Sequence, residues 1–226
     1  SRDVARLEDK INNCYGRYFS QEADPEQATI YKKALQGDAI AQYELGKLFY
    51  DKNFNLFDYS EAAHWFELSA EKGYAGAQTQ LAYCYMMAFG VEKNEAEAFR
   101  WSQLAAQQGN ATGQCYLAWC YENAFGVQRN YQEAFKWYKT SAEHGNTGSQ
   151  YHLGLCYENG YGIEKSLLQA ASWISKSASK LYLLAQARMG VYYAKGLGVP
   201  KSLQEAVKYY KLPAEQGHAI SQSNLG

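Results

Sequence analysis

The chain has 226 residues, 47% of them hydrophobic, with 22 basic side chains set against 23 acidic ones. A formal charge of -1 creates no long-range field that would draw it to nucleic acid or anionic lipid. No run of about 18 apolar residues is present to serve as a membrane helix, and Ser1-Arg2-Asp3-Val4-Ala5-Arg6 lacks the apolar stretch of a signal peptide.

Residues 4–19 predict a helix. Asp24-Pro25-Glu26-Gln27 then reads as an N-cap, a proline at the first helical position and a capping-box glutamine, starting a helix through Gln36. Residues 1–36 are therefore expected to be capping helices. From Gly37 onward the chain repeats every 36 positions: Gly37, Gly73, Gly109, Gly145 and Gly217 stand in register, with Leu181 in the remaining slot. Gln42, Gln78, Gln114, Gln150, Gln186 and Gln222 form a second column, Ala62, Ala98, Ala134, Ala170 and Ala206 a third, and Trp65, Trp101, Trp137, Trp173 and Tyr209 a fourth. A fixed period of this size marks a solenoid, not a single compact core. Five repeats are expected, over 37–72, 73–108, 109–144, 145–180 and 181–216, with 217–226 opening a sixth.

Each repeat reads as two helices. Ala77, Leu81, Ala82 and Tyr85 have the spacing of an amphipathic first helix. Gly90 breaks it in a loop that needs positive φ. Asn94 with Glu97 then predicts a capping box, repeated as Asp58/Glu61, Asn130/Glu133, Ser166/Gln169 and Ser202/Glu205. Ala98, Trp101 and Ala105 form the apolar stripe of the second helix, and the marker glycine ends it. The column Gly46, Ala82, Ala118, Gly154 and Gly190 predicts close helix packing. The tryptophan column is expected to fill the space between neighbouring pairs. Three departures stand out. Residues 51–57 replace the usual glycine loop. Leu181 replaces a glycine, which could change the pitch or mark a partner contact. Pro213 falls inside a second helix, where it should bend or end it.

Of the five cysteines, Cys84, Cys120 and Cys156 lie one period apart. Equivalent helices in neighbouring repeats should be roughly 10 Å apart, whereas a disulfide needs Cα atoms within about 7 Å. They read as buried free thiols, which favours a reducing, cytoplasmic setting. No Cys-x-x-Cys is present, and the cysteines do not converge as metal ligands would.

Ala41-Gln42…Leu45-Gly46, Tyr157-Glu158-Asn159-Gly160-Tyr161-Gly162-Ile163 and Ala134-Phe135-Lys136-Trp137-Tyr138 together resemble the Sel1-like repeat family over about four fifths of the chain. That resemblance implies an all-α, tetratricopeptide-like solenoid, a right-handed superhelix of stacked antiparallel helix pairs whose first helices line the concave face. It also implies an adaptor in protein complexes, as in endoplasmic-reticulum degradation, signalling and bacterial contact with host cells. A cysteine-rich subset of the family has been linked to β-lactamase-like activity, but the regular cysteine pair of that subset is missing here.

On such a fold, the first-helix face turned away from the packing stripe would bind a partner. It carries Tyr43, Lys47 and Tyr50 in the first repeat, beside Ile40, and Thr79, Tyr83, Met86 and Met87 in the second. Cys115, Trp119, Glu122 and Asn123 follow in the third, and Tyr151, Leu155, Glu158 and Asn159 in the fourth. Tyrosine and tryptophan supply contact area at low entropic cost, and methionine adapts to irregular partners. The asparagines could clamp a peptide backbone and the glutamates meet a basic side chain. The reading is a scaffold for a protein or peptide partner, monomeric, with no cofactor and no nucleic acid, and with no membrane contact unless a partner brings it. Alternatives are a regulatory or targeting segment of a larger enzyme, or a secreted bacterial factor that engages host proteins.

Catalysis is not expected. His64, His144, His152 and His218 do not recur with a cysteine or acid at useful spacing. Gly160-Tyr161-Gly162 and Gly196-Leu197-Gly198 lack the preceding strand and the Gly-Lys-Ser/Thr ending of a phosphate loop.

Overall fold

The computed structural model describes residues 24–52 and 57–225, and all regular structure among them is helical. The helices are α1 (Pro25–Leu35), α2 (Ala39–Tyr50), α3 (Tyr59–Glu71), α4 (Ala75–Met87), α5 (Glu95–Gln107) and α6 (Ala111–Asn123). They continue with α7 (Tyr131–Glu143), α8 (Thr147–Asn159), α9 (Leu167–Ser179), α10 (Leu183–Lys195), α11 (Leu203–Glu215) and α12 (Ala219–Leu225). None of them is long and apolar enough to cross a membrane. The expected helix over 4–19 and Cys14 lie outside the described residues, as does most of the irregular loop of the first repeat.

The chain divides between Ala105 and Ala106 into two compact units. In the first, α1 packs on α2, α2 on α3 and α3 on α4. In the second, each helix from α6 to α12 packs on the next. The even-numbered helices from α2 to α10 are the first members of successive hairpins, and the odd-numbered ones from α3 to α11 the second.

The second helices start where the sequence places them. Asp58 Oδ1 accepts from the amides of Ser60 at 2.8 Å and Glu61 at 3.2 Å. Asn94, Asn130, Ser166 and Ser202 each accept from the amide three residues on, at 3.1 to 3.3 Å. The other half of the expected capping box takes a different form. The cap's own amide donates to a first-helix carbonyl, as in Asn130 to Tyr121 at 3.0 Å and Ser166 to Tyr157 at 2.8 Å. Glu97, Glu133 and Glu205 instead pair with Arg100, Lys136 and Lys208, one turn ahead. Both arrangements satisfy the helix start, and the observed one also ties it to its partner helix.

Each second helix ends on a marker residue in the left-handed region. Gly145, at φ 87°, is followed by an Asn146 amide that donates back to Ser141 at 3.1 Å. Leu181 takes the same conformation, φ 62°, and its amide still donates to Ala178 at 3.0 Å. The expected disturbance there is a strained residue in an unchanged turn. Pro213 does not end its helix either: α11 runs on to Glu215, the endpoint equivalent to Ser179 and Glu143. Pro213 is buried in the slot that holds Ser141 and Ser177 in earlier repeats. The first-repeat loop does differ. Asp51 leaves α2 in an extended conformation, φ -75° and ψ 116°, where Ala88, Ala124, Gly160 and Gly196 are left-handed.

Small residues let the paired helices approach. A Cβ on Gly154 would lie 2.4 Å from the Ile174 side chain, and one on Gly190 2.4 Å from Tyr210. Leu45, Leu81, Leu117 and Leu153, with Met189, fill the centre of each hairpin at 1% exposure or less. Trp65 and Trp101 are buried, and Trp173 packs against the cluster of Ala118, Tyr138 and Leu153.

Two polar columns also stitch hairpin to hairpin. The glutamine column donates to the carbonyl eight residues earlier, as in Gln42 Nε2 to Ala34 at 3.2 Å and Gln150 Nε2 to Ala142 at 3.2 Å. That carbonyl belongs to the last turn of the preceding helix and has no partner within it. Ser69, Ser141 and Ser177 hydroxyls donate to Ala39, Ala111 and Thr147 carbonyls at 2.6, 2.6 and 2.9 Å, thirty residues earlier each time. The sequence showed the glutamines as a column but not what they hold.

Candidate functional site

In the first unit, Tyr43, Lys47 and Tyr50 lie one turn apart on α2, and Tyr83, Met86 and Met87 on the last turns of α4. The rings form a connected cluster. Tyr50 lies 5.2 Å from Tyr59 and 6.1 Å from Phe89, Tyr83 lies 5.8 Å from Phe89, and Phe89 stacks on Tyr59 at 4.5 Å. Phe89 thus joins the two predicted residues Tyr50 and Tyr83. Tyr43 meets Tyr74 at 5.0 Å, and the Lys47 ammonium sits 5.3 Å from the Tyr43 ring centroid while bonding Glu44 at 2.8 Å. Burial pushes the Tyr50 hydroxyl up to about 12. Met87 is half exposed. Thr79 departs from the expectation: it is buried at 6% exposure, with its hydroxyl donated to the Ala75 carbonyl at 2.9 Å, because a short β-branched side chain bonds its own helix.

In the second unit, Cys115, Trp119 and Glu122 share one face of α6, and Tyr151, Leu155 and Glu158 the same face of α8. Trp119 packs beside Phe125 at 5.2 Å, and Tyr151 beside Tyr182 at 5.6 Å. Each asparagine gives one bond to its own helix end: Asn123 Nδ2 donates to the Trp119 carbonyl at 2.9 Å and Asn159 Nδ2 to that of Leu155 at 3.0 Å. The two glutamates are also engaged. Glu122 accepts from the Tyr138 hydroxyl at 2.7 Å, and Glu158 from the Tyr192 hydroxyl at 2.7 Å and from Arg188 Nε at 3.0 Å. They cross-link the molecule's own helices.

Sequence reasoning missed Tyr74 in the first unit, and Tyr182, Arg188 and His152 in the second. Tyr74 and Tyr182 occupy the N-cap position of α4 and α10 without making a side-chain cap bond. Asn110 and Asn146 fill the same position on α6 and α8 and do cap. The tyrosines cover Tyr43 and Tyr151 instead, and a residue spacing of 31 in both cases was the available signal.

The groups that could do chemistry are placed for packing. Cys84, Cys115, Cys120 and Cys156 are free thiols, and burial pushes Cys84 and Cys156 up to about 12, far from a reactive thiolate. His144 Nδ1 bonds Gln114 at 3.1 Å, His218 Nδ1 accepts from the Ser221 amide at 3.2 Å, and His64 packs edge-on to Trp65. Among the described residues, no three His, Cys, Asp or Glu side chains are grouped to hold a metal.

Comparison with curated proteins by sequence gives no match. The Sel1 repeat model matches residues 39–74, 75–110, 111–146, 147–180 and 183–218. Among solved structures, a protective antigen of uropathogenic Escherichia coli displaying an SLR fold is 31% identical, with a TM-score of 0.78 over 98% of this chain. This chain spans only 50% of that antigen. A Sel1 repeat protein from Oxalobacter formigenes is 29% identical, with a TM-score of 0.80 over 92% of this chain and 84% of its own. An immunity protein from Pseudomonas aeruginosa, Pa5087, shares the fold at 20% identity and a TM-score of 0.55, over 81% of this chain and 67% of its own. With five consecutive matches and these hairpins, the chain belongs to the Sel1 repeat family.

Proposed function

We propose that the protein is a non-catalytic scaffold that binds a protein or peptide partner on its first-helix face. The observation that carries this reading is the half-buried rings on the first helices of each unit: Tyr43, Tyr50 and Tyr83 in the first, Trp119 and Tyr151 in the second. Rings held by neighbouring rings are pre-organised, so little side-chain entropy is lost when a partner covers them. Leu155, Met86 and Met87 add apolar area that can adapt. The engaged glutamates favour recognition by shape and apolar contact over salt bridging. The partner's apolar side chains are therefore the anchors. The buried free thiols support a reducing, cytoplasmic setting, and the scaffold would act as a monomer.

Peptide-display selection on the intact chain tests this. Enriched ligands are expected to carry spaced apolar residues and to bind Trp119→Glu at least tenfold more weakly, with the circular dichroism unchanged. Ligands that bind Trp119→Glu and Tyr83→Glu as well as wild type would remove the first-helix face from the function. A second reading, a targeting or regulatory segment of a longer protein, is favoured by the E. coli antigen being twice as long as the part this chain spans. Selection that yields no ligand for the isolated chain would favour it.

A further inference from the structure

Two successive junctions in the second unit share a register and differ in chemistry. Glu122 and Glu158 are one period apart, and so are His152 and Arg188. At the later junction Arg188 holds Glu158 with two nitrogens, and the Tyr192 hydroxyl donates to the same carboxylate at 2.7 Å. At the earlier one the Tyr138 hydroxyl donates to Glu122 Oε2 at 2.7 Å, and His152 Nδ1 stands 3.8 Å from that oxygen. This is too long for a hydrogen bond. Nδ1 is buried with no hydrogen-bond partner, and the imidazole stacks on Tyr138 at 5.0 Å and 8°. Arginine is always charged, whereas histidine changes its charge near neutrality.

We propose that the Glu122–His152 contact is a proton-sensitive joint between hairpins α6–α7 and α8–α9, packed with a neutral imidazole and loosened when His152 is protonated in mildly acidic solution. The titratable groups around the pair are Glu122 and Cys115 on α6, Tyr138 on α7, and Tyr151 and Cys156 on α8. Burial keeps Cys115, Cys156, Tyr138 and Tyr151 above their ordinary values, so these four stay neutral and Glu122 is the charge the imidazole meets. Arg188, on α10, is taken by Glu158. Burial holds His152 below its ordinary value, with the Glu122 carboxylate pulling the other way. A histidine lowered on folding contributes stability that is complete above its unfolded value of about 6.5. That contribution is lost as the pH falls through the lower folded value.

Thermal melts of the full chain at pH 7.5 and 5.5 test the joint. Wild type is expected to lose on the order of 2–4 °C more than His152→Gln over that step. The other three histidines are common to both proteins and cancel. Equal losses would overturn the proposal. His152→Arg installs the residue of the later junction and is expected to lose no more than His152→Gln; a loss as large as wild type's would count against the proposal. Should either variant fail to fold, histidine proton titration by NMR on wild type decides. One imidazole is expected to titrate below the ordinary histidine value of about 6.5 and to contact the Tyr138 ring, and a His152 titrating at or above that value would sink the idea.

Discussion

At the register position that holds Glu122 and Glu158 in the second unit, the first unit holds Tyr50 and Met86. Tyr50 is surrounded by the rings of Tyr59, Phe66 and Phe89, whereas Glu158 is gripped by Arg188 and Tyr192. Away from the end of α2, where Asp51 is extended, the backbone frame of the two units is the same: the same second-helix cap positions, the same left-handed marker residues, the same glutamine bond to the carbonyl eight residues back. The difference teaches that a repeat fold constrains the columns facing its own interior and leaves the other face of the first helices to vary. One unit filled that face with non-directional ring contacts, and the other with directional charge.

If the frame is common to both units, breaking it should hurt both equally. A Cβ on Gly90 would fall 1.9 Å from the Tyr59 carbonyl oxygen, and one on Gly162 2.1 Å from that of Tyr131. Both glycines also have positive φ, 72° and 71°. Gly90→Ala and Gly162→Ala are expected to cost about 3 kcal/mol or more each, since backbone must move to relieve the clash. Gly73→Ala and Gly109→Ala, whose Cβ would meet nothing within 4 Å, should cost only the conformational strain, about 1 kcal/mol. Urea unfolding measures all four, and a large gap between Gly90→Ala and Gly162→Ala would end the idea of one frame.

The charged junctions should separate next. Glu158→Gln is expected to cost about 2 kcal/mol, because it leaves the half-buried Arg188 without its counter-charge. Glu122→Gln should cost nearer 1 kcal/mol, since an amide oxygen can still accept from Tyr138. The first unit's counterpart, Tyr50→Leu, should cost about 1 kcal/mol through lost ring contacts. Raising the salt concentration to 1 M should shrink the Glu158→Gln effect and leave that of Tyr50→Leu unchanged. Equal salt dependence would erase the distinction between the two faces. The smallest effect is a gain. Leu181 holds φ 62° while 66% exposed, so Leu181→Gly should raise stability by roughly 0.5–1 kcal/mol by removing left-handed strain.

Repetition made most of the fold legible. A lone Asn94 with Glu97 is weak support for a helix start, but five such pairs at one spacing leave little room for another reading, and all five N-caps bond as expected. The candidate site was harder to read, because its positions differ from repeat to repeat and gain nothing from the period. Helical spacing put Tyr43 with Lys47 on one face of α2, Trp119 with Glu122 on one face of α6, and Tyr151 with Glu158 on one face of α8. It was silent on which of them would be taken by partners about thirty residues away, such as Tyr74 and Arg188. Thr79 is the plainest case: its place on the helix was right, and its exposure was set by packing.

The amino-acid sequence by itself determined the helices, their caps, their endings and the close-packed glycine column, because each depends on local backbone chemistry or on a spacing repeated along the chain. Only the tertiary structure decided that the glutamine column caps the preceding helix, that Gly162 lies against a carbonyl of the hairpin before it, and that Glu122 faces a histidine where Glu158 faces an arginine. Those contacts join residues eight to thirty-one positions apart. They exist once packing has fixed the helices' separation and rotation, which no local preference specifies.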